Sequence, residues 1–186
     1  QVLKSDSQST VQVQRARELL KSGGYTLAFR NLLKLLEDEP HELVSSNAIH
    51  YMPIWQVVAE IIIDMPDEQR AEYVTMIQPE VDRLLSQYEQ TRDLEVLRTA
   101  LYRFPASNST PRILRELVRN ALDQHAYVDI LSLLEEAQFF GIETDNKTPL
   151  FGFARFIAQH KLGYEEQAAN LLATLKQTGV YEKYPA

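Results

Sequence analysis

The stretch Gly23-Gly24-Tyr25-Thr26-Leu27-Ala28, continued by Leu32, Leu33, Leu35 and Leu36 to Pro40, decides the fold. Two glycines interrupt one apolar helical pattern, and an aromatic with a small residue three places on opens the next. Proline then closes that second helix, because it can neither donate a backbone hydrogen bond nor accommodate the preceding turn. Upstream, Val13, Ala16, Leu19 and Leu20 recur at helical spacing behind Ser9 and Thr10, either of which can cap. Downstream, Ala28, Leu32, Leu35 and Leu36 share one apolar face. Glycine ends the first helix cheaply, since it tolerates the left-handed conformation of a C-cap. The whole reads as helix, turn, helix, with the second helix from Tyr25 to about Glu39.

Looser versions of this unit continue along the chain. Pro53 suits the first turn of a third helix carrying Ile54, Val57, Val58, Ile61 and Ile62, with Trp55 expected in the core. Met65-Pro66 is a break, with Asp67 a cap for a short helix to about Met76, and Pro79 opens another with Val81, Leu84, Leu85 and Tyr88. Asp93 caps a helix with Leu94, Val96, Leu97, Ala100 and Leu101. Thr110-Pro111 starts one with Ile113, Leu114, Leu117, Val118 and Ala121. Its pair runs from Tyr127 to Phe139, and the last two span Pro149–His160 and Tyr164–Thr178, parted near Gly163. The expectation is an all-α chain of about ten helices with short connections, antiparallel neighbours and no strand. It places a flexible entry at 1–8, one helical-repeat domain over 9–182, and no linker.

The totals agree. Leu, Ala, Glu, Gln and Arg dominate, glycine is scarce at six, and 45% of residues are hydrophobic, as in a packed domain. A net charge of −7 disfavours nucleic acid as partner, because neutralising phosphates needs a basic face. Without cysteine there are no disulfides or thiolate metal sites. No apolar run is long enough to span a bilayer. Gln1 in place of Met points to a removed leader or to a piece of a longer chain.

The pattern of the tetratricopeptide repeat is similar to the first unit. It wants a small residue and then a large one in the first helix, and an aromatic after the turn. Alanine, a bulky residue and a closing proline follow. Those are Ala16, Leu19, Tyr25, Ala28, Leu32 and Pro40, whereas the early Trp and Leu fall on Gln12 and Arg15. Laying Tyr127 on Tyr25 gives a degenerate second unit, with Ile130 in place of alanine and no closing proline. A third, Leu162-Gly163-Tyr164 to Ala168, has one residue too many between aromatic and alanine. The resemblance implies a right-handed α-α superhelix. The competing reading is an irregular helical bundle.

A longer resemblance runs from Pro53 to Glu136. It is carried by Pro53-Ile54-Trp55, Met65-Pro66-Asp67-Glu68-Gln69-Arg70, Pro79-Glu80-Val81-Asp82-Arg83, Asp93-Leu94-Glu95-Val96-Leu97 and Tyr102-Arg103-Phe104-Pro105. It is similar to the helical region preceding quinoprotein-type (PQQ-like) β-propeller repeats in large planctomycete exported proteins. That resemblance implies a non-catalytic module, periplasmic or at the cell surface, that holds or recruits a protein partner.

Chemistry is sparse. His41, His50, His125 and His160 show no metal-ligand spacing, and no nucleophile elbow, phosphate loop or cofactor fingerprint occurs, so neither cofactor nor catalysis is expected. The acceptor patterns at Asn108 and Asn146 are helix entries, where capping accounts for the hydroxyl residues. The binding candidates are Arg112, Arg115 and Arg119, spaced three and four apart on one helix face, with Arg17 in the corresponding place of the first unit. Arginines so placed can fork onto carboxylates or phosphates of a peptide, an adjacent domain or a small ligand. Against that stands a solvated face balanced by Glu116.

Overall fold

The computed structural model describes residues 8–45, 51–142 and 149–177, and among them 79% helix against one pair of three-residue strands makes the protein all-α. Two compact units divide at Thr110/Pro111, where a helix begins.

The first unit holds α1 (Gln8–Lys21), α2 (Tyr25–Asp38), β1 (Leu43–Ser45), β2 (Tyr51–Pro53), α3 (Ile54–Ile63), α4 (Asp67–Thr91) and α5 (Leu94–Arg103). Its core follows the stripes that periodicity marks, with Phe29, Tyr73 and Ile77 added and Leu19 and Leu20 only half-buried. Ala28, Phe29, Leu32, Leu35 and Leu36 of α2 meet Val13 and Ala16 of α1, while α3, α4 and α5 add Val57, Val58, Ile62, Tyr73, Ile77, Val81, Leu97 and Leu101. Trp55 is 5% exposed, as expected of a core tryptophan. Asp93 caps α5 by accepting from the Glu95 N–H at 3.0 Å.

Three local expectations fail for identifiable reasons. Strands do occur: Leu43 pairs with Pro53 and Ser45 with Tyr51, in runs too short to show a two-residue alternation. Ser9 and Thr10 lie inside α1, where Ser9 Oγ donates to Glu42 and Thr10 Oγ1 accepts from the Ser45 N–H at 3.4 Å, so both fasten the strand segment to α1. There is also no helix boundary before Pro79; it sits inside α4, whose N-cap is Pro66, with Asp67, expected as the cap, as its first helical residue. Tyr73, Ile77, Val81, Leu84, Leu85 and Tyr88 keep one helical phase straight through it, and Pro79 is exposed. Nine helices result among the described residues instead of ten. Pro53 stands one place before α3, whose first N–H groups, of Ile54 and Trp55, donate to the carbonyls of Glu42 and Pro40.

The second unit holds α6 (Thr110–Asp123, its first residue in the first unit), α7 (Tyr127–Phe139), α8 (Pro149–Lys161) and α9 (Glu165–Gln177). Ile113, Leu114, Leu117, Val118, Ile130, Leu133, Leu134, Phe151, Ala154 and Ala158 are buried, and α8 packs on both α7 and α9. Thr110 begins α6 with its hydroxyl 3.1 Å from that of Ser107, and both residues are buried.

One turn joins two helices in three places, and its crossed bonds also end α7, where Ile142 N–H donates to Ala137 O and Gly141 N–H to Gln138 O with Gly141 at φ 70°. After α1, Gly24 N–H donates to Leu19 O (2.8 Å) and Gly23 N–H to Leu20 O (3.2 Å), with Gly23 at φ 83°. After α6 the same crossed bonds join Ala126 to Ala121 and His125 to Leu122, with His125 at φ 57°. After α8 they join Tyr164 to Gln159 and Gly163 to His160, with Gly163 at φ 83°. This is the Schellman closure, which satisfies the last helical carbonyls through a left-handed residue. At each of the three joins the N–H four residues on, of Ala28, Ile130 or Ala168, donates to the turn carbonyl, and those three residues are 0%, 0% and 2% exposed. The shared geometry accounts for the surplus residue in the third unit. Tyr164 occupies the place of Gly24, and Ala168 falls in register with Ala28.

His125 carries the left-handed conformation at a cost that glycine avoids. His125→Gly is expected to raise stability by about 0.5–1 kcal/mol, after the greater unfolded-state freedom of glycine is discounted. A thermal midpoint at or below that of the parent would show that the contact of His125 Nδ1 with the Tyr127 hydroxyl (3.2 Å) outweighs the strain.

Candidate functional site

Arg112, Arg115 and Arg119 are all exposed on α6. At about 100° per residue they fall within an arc of roughly 60°. Ile113, Leu114, Leu117, Val118 and Ala121 are buried on the opposite side, so the arginines form the outermost line of the helix. Arg119 Nη1 pairs with Glu116 Oε1 at 3.0 Å, an exposed pair that stabilises the helix little but removes part of the stripe's charge. Arg115 makes no ion pair among the described residues, whereas Arg112 has an interaction of its own. Arg17 belongs to the first unit and is half-buried. Burial and Asp64 push the Glu60 carboxyl up, and the Arg17 charge opposes them. Arg17 thus has an internal acidic neighbour on α3 that the sequence pattern does not reveal.

Two clefts were not anticipated. In the first unit, about 430 Å³ opens between the end of α2 and α5, lined by Leu36, Glu37, His41, Arg98, Tyr102 and Arg103 among others. Its charges are matched within the wall, with Arg103 Nη2 2.7 Å from Glu37 Oε1 and Arg98 Nε 3.4 Å from Glu95 Oε1. Its aromatic side is a ring cluster in which Tyr102 stands 4.9 Å from His41 and 5.4 Å from Trp55. A charged ligand there competes with ion pairs already made.

In the second unit, about 420 Å³ lies among α7, α8 and α9. Leu131, Glu135 and Gln138 come from α7, Arg155 and Gln159 from α8, Tyr164 from the turn and Gln167 from α9. Glu135, Gln138, Tyr164 and Gln167 are exposed, and their side chains bond to no described residue. Gln159 Oε1 is buried without a hydrogen-bond partner among the described residues. Sequence reasoning missed both clefts because each polar residue, taken alone on its helix, reads as solvated surface.

Among the described residues no three His, Asp or Glu side chains gather as metal ligands, and no helix is long and apolar enough to cross a membrane. His160 contacts Glu165 at 3.1 Å, His125 sits in a turn and His41 in the ring cluster, while His50 and Asn146 lie outside the described residues.

These features define an all-α protein in which one recurring turn closes three of the helical pairs, with a cleft between helices in each unit. No protein-family model, curated protein or solved structure matches the chain.

Proposed function

We propose that the protein is a non-catalytic interaction scaffold of tetratricopeptide type. In this reading its hairpins stack as a right-handed superhelix, and its partner is a peptide or an adjacent domain. The observation that carries the reading is the recurring turn. Three hairpins start their second helix in one register, with a buried small or aliphatic residue (Ala28, Ile130, Ala168) four places after the turn carbonyl. Hairpins that cannot bury both faces alone stack on neighbours and leave an extended surface for partners. The resemblance over Pro53 to Glu136 adds the expectation of an exported protein carrying a β-propeller beside this module.

Within the scaffold, the α6 arginines are the charged feature suited to a partner's carboxylates, since guanidinium groups fork onto two oxygens at once. The test is a peptide array of acidic, neutral and basic sequences probed with the intact chain. Acidic peptides are expected to bind, and Arg115→Ala with Arg119→Ala to weaken them by about tenfold, or roughly 1.4 kcal/mol, at unchanged helicity. Both side chains are exposed, so their loss does not threaten the core. Equal binding by the double variant, or no preference for acidic peptides, would remove the arginines from the reading. Absence of any peptide binding would turn it towards a small-ligand sensor.

A further inference from the structure

We infer that the cleft among α7, α8 and α9 binds a neutral, polyhydroxylated small molecule of the sugar class. The inference is independent of the scaffold reading, because no α6 arginine lines this cleft.

The lining dictates the ligand. Three carboxamides (Gln138, Gln159 and Gln167) converge from two neighbouring helices and the helix between them. Each carboxamide offers donor and acceptor in one plane, the arrangement that meets adjacent hydroxyls of a ring in pairs. Glu135 and Arg155 contribute one charge of each sign, so the wall selects for no net ligand charge, and Glu135 adds a stronger acceptor while Arg155 has an interaction of its own. Tyr164 is 49% exposed and brings an aromatic ring to the cleft, a group suited to the C–H surface of a pyranose. Leu131 is the sole aliphatic side chain in the lining, too little to anchor an apolar ligand or the side chains of an extended peptide. The volume of about 420 Å³ is in the range of small-molecule sites. Gln159 belongs to the lining, but its Oε1 is shut off from solvent without a donor among the described residues, so a ligand hydroxyl reaches that oxygen only when the side chain turns into the cleft.

The experiment is saturation-transfer NMR and calorimetry on the intact chain with glucose, galactose, N-acetylglucosamine, maltose and cellobiose. At least one is expected to bind saturably in the millimolar range or tighter, with shift changes at the lining residues. Gln138→Ala with Gln167→Ala, both at exposed positions, is expected to weaken that sugar by about tenfold or more while leaving the circular dichroism unchanged. Gln159→Leu, which keeps the bulk and removes the orphan oxygen, is expected to lose binding and to melt no lower than the parent. Failure of every sugar to saturate overturns the inference. So does binding that the double substitution leaves intact, or a neutral peptide that occupies the cleft in place of the sugars. None of these outcomes bears on the α6 arginines, so this inference and the scaffold reading fail separately.

Discussion

Phe29→Ala is expected to destabilise the first unit by about 3–5 kcal/mol, the usual loss when a fully buried phenylalanine is cut back to the methyl group. Phe29 is 0% exposed on α2, and its ring meets that of Tyr73 on α4 edge-on, at 5.4 Å and 64°. Truncation removes this contact, leaves a void that α4 cannot close without moving, and exposes one side of the Tyr73 ring. Urea unfolding followed by Trp55 emission is the natural readout, since Trp55 is the chain's single tryptophan and lies in the same unit. A loss below about 1 kcal/mol would mean that the α2 stripe is not part of the cooperative core. Tyr73→Phe supplies the control of opposite sign. The Tyr73 hydroxyl is buried with no partner among the described residues, and burial drives its ionisation far above the usual tyrosine range. Removing the hydroxyl while keeping the ring is expected to gain about 1 kcal/mol.

Pro79→Ala is expected to stabilise the protein by about 2 kcal/mol. A proline inside a helix costs about 3 kcal/mol relative to alanine, through the missing N–H and the crowding of the preceding turn. Against that, alanine gives the unfolded chain more freedom, worth about 0.4–1 kcal/mol in the other direction. Pro79 is exposed and no core contact depends on its ring, so the difference should be recovered nearly whole. The same Trp55 transition measures it. A variant no more stable than the parent would show that the proline ring itself helps to seat Val81, Leu84, Leu85 and Tyr88 against their neighbours.

These two sites also show where the sequence is legible and where it is not. The stripe beside Phe29, of Ala28, Leu32, Leu35 and Leu36, is visible as a period of 3.6 residues, and the glycines at 23 and 163 mark their turns by letter. Pro79 misleads because a proline is read as punctuation, whereas the apolar phase from Tyr73 to Tyr88 does not break. Phase was the better signal. The third left-handed turn residue is a histidine, a weaker mark than glycine, and the second hairpin looked degenerate because Ile130 stands in place of alanine and no proline closes it. The paired strands escaped notice because three residues cannot show an alternation.

The candidate sites divide in the same way. Spacing shows that Arg112, Arg115 and Arg119 share a face, and their exposure follows from the buried stripe opposite. Spacing does not show that Arg17 has Glu60 near it, because that acid arrives on a different helix. Convergence of Gln138, Gln159 and Gln167 is likewise tertiary information. Only packing of α8 against α7 and α9 gathers them.

The crossed bonds that close each hairpin are made by main-chain atoms, and the one stereochemical demand falls on a single residue, filled here by glycine twice and histidine once. Side chains around the turn are therefore released from the duty of shaping it. Over evolutionary time such a hairpin can exchange its aromatic, its alanine and its proline one by one while the chain path stays put. Ancestry among these units is then better sought by superposing hydrogen-bond topology than by counting shared letters.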